Sequence, residues 1–383
     1  VGKQRLNLNN NGVFNMLSKK LTTSLTSLAL ATSLMTGSVH AEEVLHLYNW
    51  SDYIAEDTIA NFEAETGIKV VYDVFDSNDV LEAKLLAGNS GYDLVVPSSS
   101  FLGRQIMAGV FQPLDKSKLS NYSHLDSELM GRLTNVDPDN AYAIPYLWGT
   151  TGMGYNPDMV AAVLGDDAPV DSWDMLFKEE NISKLATCGV NLLDSADEIL
   201  PVALNYLKLD PNSNDLADYK GPVKELMQAI RPHITKFHSS NYINELANGD
   251  ICFAVGWSGD ILMAGDRAAE ADNGVSVEYV IPKEGAPLWF DMLAIPADAA
   301  NVGNAHKFLD YILRPEVIAS ITDYVWYANA NATASSLIDE EILAHPGIYP
   351  SEEAKANLFT FEVLPPKVTR TMNRVWTDIR SSN

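Results

Sequence analysis

The sequence predicts an α/β protein made of two lobes around a hinged cleft. Three features predict it. Short β-branched runs alternate with segments of helical apolar spacing early in the chain, the pattern of a mostly parallel sheet with helices on both faces. An extended, aromatic, glycine-studded stretch at 142–155 then breaks the alternation. A second strand–helix alternation follows, so that stretch reads as the first crossing between lobes. The length of 383 residues is enough for two domains, and 46% apolar residues supply ordinary globular cores.

The N-terminus reads as separate from the fold. Lys19 and Lys20 precede an apolar run at 21–35, and Val39-His40-Ala41 puts small residues at both cleavage-specifying positions. This is the pattern of a secretory signal peptide cut after Ala41, too short in its apolar part to span a bilayer. Met16 reads as the natural start. The first 41 residues hold four Lys/Arg and no Asp/Glu, so their removal takes the net charge from −25 to −29. No Cys stands at the cleavage point, which argues against a lipid anchor, and no later stretch reaches transmembrane length. A soluble periplasmic protein is expected. The acid excess argues against nucleic-acid binding. It suits a cationic ligand, and solubility or a saline habitat explains it equally well.

In order, the pattern predicts a strand at 44–48, a helix at 56–65, a strand at 68–74, a helix at 79–87, a strand at 94–96 ended by Pro97-Ser98-Ser99-Ser100, and a helix at 101–108. Beyond the crossing, strands are expected at 189–193 and 251–255, with helices near 195–207, 223–230, 242–247 and 260–271. Segments 275–281 and 289–295 read as strands returning to the first lobe. Helices at 302–313 and 315–324 follow. The remainder is loop-rich, with helices near 352–357 and 370–380. The expected division is 1–41 signal and upstream residues, 42–146 first lobe, 147–284 second lobe, 285–325 first lobe and 326–383 second lobe.

Trp50-Ser51-Asp52-Tyr53 sits at the carboxyl end of the first strand, the edge where open α/β sheets bind ligands. A ring, a hydroxyl, a carboxylate and a phenol together suit a cation with an apolar body. The plainer alternative is a surface turn with Trp50 in the core and Asp52 capping the next helix. Other strand ends repeat the pairing of ring and acid: Trp257 with Asp260, Glu198 beyond 189–193, Trp289 with Asp291, and Trp326-Tyr327 after a helix. Singly, each is more often a core aromatic with a capping acid. Gathered at one cleft, they would sandwich a methylene chain between rings and hold two ammonium ends on carboxylates.

Catalytic motifs are weak. Gly256-Trp257-Ser258-Gly259-Asp260 resembles a nucleophile elbow but carries Asp in place of the last Gly. The sequence has no Walker loop, dinucleotide fingerprint or zincin helix. His233 and His238 lack a carboxylate partner spaced for zinc. No metal or cofactor is expected. Cys188 and Cys252, an even pair in an oxidising compartment, point to a disulfide, with two buried free thiols as the alternative.

The chain from 44 to about 378 closely resembles the periplasmic polyamine-binding proteins of bacterial ABC importers, of the putrescine-binding type. The resemblance is carried by Tyr48-Asn49-Trp50-Ser51-Asp52-Tyr53-Ile54, Asp93-Leu94-Val95-Val96-Pro97-Ser98, Pro169-Val170-Asp171-Ser172-Trp173, Leu246-Ala247-Asn248-Gly249-Asp250, Pro282-Lys283-Glu284-Gly285-Ala286 and Tyr327-Ala328-Asn329-Ala330-Asn331. It implies a two-lobed periplasmic-binding-protein fold of the two-crossover kind. It also implies roles: Trp50, Trp257, Trp289 and Tyr327 boxing the alkyl chain; Ser51, Asp52, Tyr53 and Ser98 lining the first-lobe wall; Asp260 and Asp291 holding one ammonium; Glu198, with Asp52 through water, holding the other. Cys188 and Cys252 fall where that branch has its disulfide. Pro287-Leu288-Trp289 departs from the expected pattern of smaller residues and a Phe, which bears on ligand length. The implied function is capture of putrescine or a similar polyamine by a monomer and its delivery to a membrane permease. The alternatives are a polyamine sensor feeding a membrane receptor and a spermidine-preferring binder.

Overall fold

The computed structural model describes residues 43–382, so the expected signal peptide and its cleavage after Ala41 lie outside the described residues. Within them, strands in chain order are β1 (Val44–Trp50), β2 (Lys69–Phe75), β3 (Leu94–Val95), β4 (Ala143–Tyr155), β5 (Val190–Leu192), β6 (Lys236–Phe237), β7 (Phe253–Trp257), β8 (Glu278–Val280), β9 (Pro287–Ala294), β10 (Ala328–Asn329) and β11 (Phe359–Thr360). The main path runs β2-β1-β3-β9-β4-β7-β5-β6. Among the described residues, no helix is long and apolar enough to cross a membrane.

The hinge of this arrangement is β4. Its thirteen residues are all buried. From Ala143 to Thr150 it pairs antiparallel with β9, and from Thr151 to Tyr155 with β7. One strand therefore serves the first lobe at its start and the second at its end, as the 142–155 stretch predicted. The register slips between Pro145 and Leu147; Pro145 has no N–H to give the ladder, so an irregularity costs little there. On either side of this seam the strands are parallel: β1 with β2 and β3 in one lobe, β5 with β6 and β7 in the other. Helices make the crossovers, which places the carboxyl ends of β1, β3, β5 and β7 along the cleft.

The elements form where local chemistry allows. Helix Thr58–Thr66 starts two residues later than its spacing predicts and closes on Gly67, at φ 72°. Helix Asn78–Leu86 is capped by Ser77, whose hydroxyl accepts the Val80 N–H. Helix Ser258–Ala271 begins directly after β7, two residues before the predicted start, because β7 runs on to Trp257.

One strand assignment fails. Segment 275–281 does not return to the first lobe: β8 pairs with Met153–Tyr155, the second-lobe end of β4, and only β9 makes the return. Packing explains the choice. The Tyr279 hydroxyl bonds Thr150, and a Cβ on Gly152 would lie 2.5 Å from that hydroxyl, so the side-chain-free backbone at 152 admits the ring. The C-terminal stretch also divides. β10 pairs with Leu147 and Trp148, beside the first-lobe strands, while helix Pro366–Ser381 packs on second-lobe helix Ala196–Tyr206.

Cys188 and Cys252 are bonded, with Cα atoms 5.5 Å apart, and tie the entrance of β5 to that of β7. The bridge spans 64 residues of sequence, which on the chain-entropy account stabilises the fold by about 4 kcal/mol. The double replacement Cys188→Ala/Cys252→Ala is expected to lower unfolding free energy by roughly that amount in urea titrations, with a steeper slope because the unfolded chain is no longer held compact by the bridge; an unfolding free energy equal to wild type would refute it.

Candidate functional site: an acid-lined interlobe cleft

All eleven residues singled out from the sequence line one cavity of about 730 Å³: Trp50, Ser51, Asp52, Tyr53, Ser98, Glu198, Trp257, Asp260, Trp289, Asp291 and Tyr327. Six places in the fold converge there. The end of β1 supplies residues 50–53, and Ser98 follows β3. Glu198 lies in the first turn of helix Ala196–Tyr206. Trp257 ends β7 and Asp260 is the third residue of the next helix. On β9, the two-residue period sends Trp289 and Asp291 to the same face. Helix Pro315–Val325 ends on Trp326 in a left-handed conformation, φ 60°, and the next residue, Tyr327, is fully enclosed at the cleft.

The rings meet edge to face. Trp50 and Trp257 approach from opposite lobes, with centroids 5.7 Å apart at 71°. Tyr327 contacts Trp289 at 5.5 Å and Tyr53 at 5.1 Å. Such pairs add about 0.5–1.5 kcal/mol beyond area burial. The Trp50 indole donates to the Val96 carbonyl at 2.9 Å, which fixes the ring against the first-lobe sheet. Two glycines make room for this packing. A Cβ on Gly259 would lie 2.5 Å from the Tyr327 ring, and one on Gly256 would lie 2.5 Å from the Tyr242 ring.

Three carboxylates face this box with no ion-pair partner among the described residues. Asp291 accepts from the Ser98 hydroxyl at 2.6 Å, and Ser98 is held by the Asn78 amide at 2.9 Å. Asp260 accepts from Tyr242 and Tyr327, each at 2.7 Å. Glu198 accepts from Thr151 at 2.6 Å. Burial pushes all three above the usual carboxylate range: Glu198 to about 8, Asp291 to about 7 and Asp260 to about 6. The hydroxyl donors pull the other way and do not cancel it. The Tyr53 hydroxyl is buried beside Asp291, and its donation there opposes the rise that burial gives the Asp291 carboxyl.

Asp52 and Ser51 behave differently from the deep acids. Asp52 is exposed, at φ 53°, and meets Arg267 of the opposite lobe at 3.1 Å, at the mouth of the cleft. The Ser51 hydroxyl donates to Asp76 at 2.7 Å. The nucleophile-elbow serine is spoken for as well: Ser258 is 1% exposed and its hydroxyl accepts the Thr150 N–H at 3.4 Å.

Sequence reasoning missed Tyr242, Thr151 and Arg267, and also Asp76, Asp79, Asp194 and Asp197, which line the same cavity. The four aspartates follow the strand ends β2 and β5 or open the next helix, so the strand-end rule applied to every acid would have found them. Nothing local marks Thr151, a hydroxyl inside a buried strand, or Tyr242, whose partner arrives from the following helix.

The sequence matches the family described as bacterial extracellular solute-binding protein over residues 57–350. It is 57% identical over 366 residues to the putrescine-binding periplasmic protein PotF of Escherichia coli, covering 95% of this chain and 99% of that protein. Its identity to the putrescine-binding periplasmic protein SpuD of Pseudomonas aeruginosa is also 57%, over 95% and 99% of the two chains. The solved structure of the spermidine/putrescine ABC transporter substrate-binding protein PotD from Streptococcus pneumoniae superposes with a TM-score of 0.71 at 30% identity, covering 88% of this chain and 98% of that one. A two-lobed fold, a cleft at its strand ends and this likeness lead to one conclusion: the chain belongs to the bacterial extracellular solute-binding protein family.

Proposed function

We propose that this protein captures putrescine, or a diamine close to it, and delivers it to the permease of an ABC importer without chemically altering it. One observation carries the reading. Eight carboxylates line the cleft (Asp52, Asp76, Asp79, Asp194, Asp197, Glu198, Asp260 and Asp291) and no Lys, Arg or His does, among the described residues. Buried acids without a protein cation are costly unless a cation arrives. Two of the deep acids, Asp260 and Asp291, receive one ammonium of the cargo, with the Tyr53 hydroxyl beside Asp291. Glu198 receives the other. Trp50, Trp257, Trp289 and Tyr327 enclose the methylene chain, while Ser51 and Ser98 hold the first-lobe wall. Asp52, committed to Arg267, closes the mouth rather than leading the grip on the second ammonium. The names of the relatives in Escherichia coli and Pseudomonas aeruginosa support the ligand class and the periplasm. Export through a signal peptide cut after Ala41, and action as a monomer, complete the proposal.

The cleft acids also fix a pH dependence. Their pKa values are higher in the fold than in the unfolded chain, so they favour the empty fold fully only below about pH 4. That contribution is lost as pH rises through the range of about 6 to 8 set by Asp260, Asp291 and Glu198. A dication prefers the ionised acids, so binding should tighten over the same interval. Calorimetry near pH 6.5 is expected to show protons released on binding, as a heat that scales with buffer ionisation enthalpy; a heat independent of buffer contradicts the assignment.

Ligand identity is tested by thermal shift. Putrescine at a hundred times its dissociation constant should add about 2.7 kcal/mol to stability, with amino acids, sulfate and ferric iron leaving the melting temperature unchanged. No shift with any diamine or triamine would overturn the ligand class. Replacing Asp260 by Ala should weaken putrescine by about thirty-fold or more, since truncating one side of a buried charge pair costs about 2–5 kcal/mol; titration at wild-type affinity would remove Asp260 from the site.

A further inference from the structure

We infer that Thr151 is a positioning residue for Glu198, and that the indole N–H of Trp289 sets the direction in which the Thr151 hydroxyl points. This rests on the reading of Glu198 as an ammonium acceptor. Thr151 is fully buried on β4, opposite Trp257, at the residue where β4 passes from one lobe to the other. Its Oγ1 stands 2.6 Å from Glu198 Oε2 and 3.2 Å from Trp289 Nε1. An indole nitrogen only donates, so Trp289 gives its proton to Thr151. One lone pair of the hydroxyl is then occupied, and its own proton is directed to Glu198. An ionised carboxylate accepts that proton. A protonated one still offers its carbonyl oxygen, but accepts more weakly because the bond loses its charge assistance. The chain Trp289→Thr151→Glu198 thus runs from the returning strand, through the crossing strand, to a second-lobe helix, and it favours the form of Glu198 that holds a cation.

The other groups facing Glu198 define what this chain works against. Asp197 beside it and Asp291 across the cleft disfavour its ionisation, as burial does, while the Trp257 indole and Thr151 favour it. Tyr279 also faces Glu198, but its hydroxyl is engaged by Thr150. Thr151 therefore supplies one of two hydrogen bonds that keep the Glu198 carboxyl from rising further and ease its ionisation when a cation arrives. At position 289, a phenyl ring would keep the wall and lose the donor.

The test is calorimetric titration of the full protein with putrescine from pH 6 to 9. Thr151→Val keeps the side-chain shape and removes the hydroxyl. It should weaken binding about tenfold at pH 7, the scale of one hydrogen bond to a charged acceptor, with the affinity–pH curve displaced to higher pH and the gap narrowing towards pH 9. Thr151→Ser should restore affinity to within about twofold and return the wild-type curve. Trp289→Phe should cost more in the wild-type background than beside Thr151→Val, because the second variant has already broken the chain. Wild-type affinity in Thr151→Val at every pH would overturn the inference, as would a loss in Thr151→Ser equal to that in Thr151→Val. A wild-type protein that binds no diamine would sink the proposed function instead, whatever the Thr151 variants do.

Discussion

The structure depends on a shortage: buried cleft carboxylates with no basic side chain among the described residues to meet them. Asp260, Asp291 and Glu198 are provisioned with hydroxyl donors, which orient a carboxylate and soften its desolvation without neutralising it. An internal Lys or Arg would have made the empty protein more comfortable and the site useless for a cation. Each ion taken from water costs several kcal/mol even after relaxation. Hydrogen bonds to charged groups return about 1.5–3 kcal/mol each, and rings around an alkyl chain add more. Under the proposed function, acids already buried in the fold add less of their own desolvation to the cost of binding.

The fold explains how that unfavourable arrangement is held. Both lobes contribute acids and rings, and β4 with β9 forms the seam between them. Trp50 and Trp257 meet across the gap, and Asp52 with Arg267 spans its mouth. The outer pair is half exposed, so it contributes little to stability. Its position allows it to favour closure without competing for the cargo, because Arg267 is already occupied by Asp52, Asn244 and Met263. The glycines at 256 and 259 show the same economy: their missing side chains seat the two tyrosines that hold Asp260.

Much of this was legible in the sequence. Period and β-branching located β1, β2, β3 and β5 closely, and the aromatic, glycine-rich stretch correctly announced a crossing strand. Partnership was less legible. The 275–281 run has the alternation of a strand, but alternation does not name a neighbour, and the fit of Tyr279 over Gly152 decided it. The site divides the same way. Ring and acid at successive strand ends were visible as residues, and the rule that α/β sheets bind at those ends suggested a place. That they meet required the family resemblance. Thr151 and Tyr242 escaped because a hydroxyl inside an apolar element carries no local sign of its partner, which for Thr151 lies 47 residues away.

The most direct test of the central claim is a crystal structure of the protein grown with putrescine. One ammonium nitrogen should lie within hydrogen-bond distance of both Asp260 and Asp291, about 2.7–3.0 Å. The other should lie at Glu198, with the methylene chain between Trp50, Trp257, Trp289 and Tyr327. A diamine bound outside this cleft, or lying in it with its nitrogens turned away from those three carboxylates, would contradict the account.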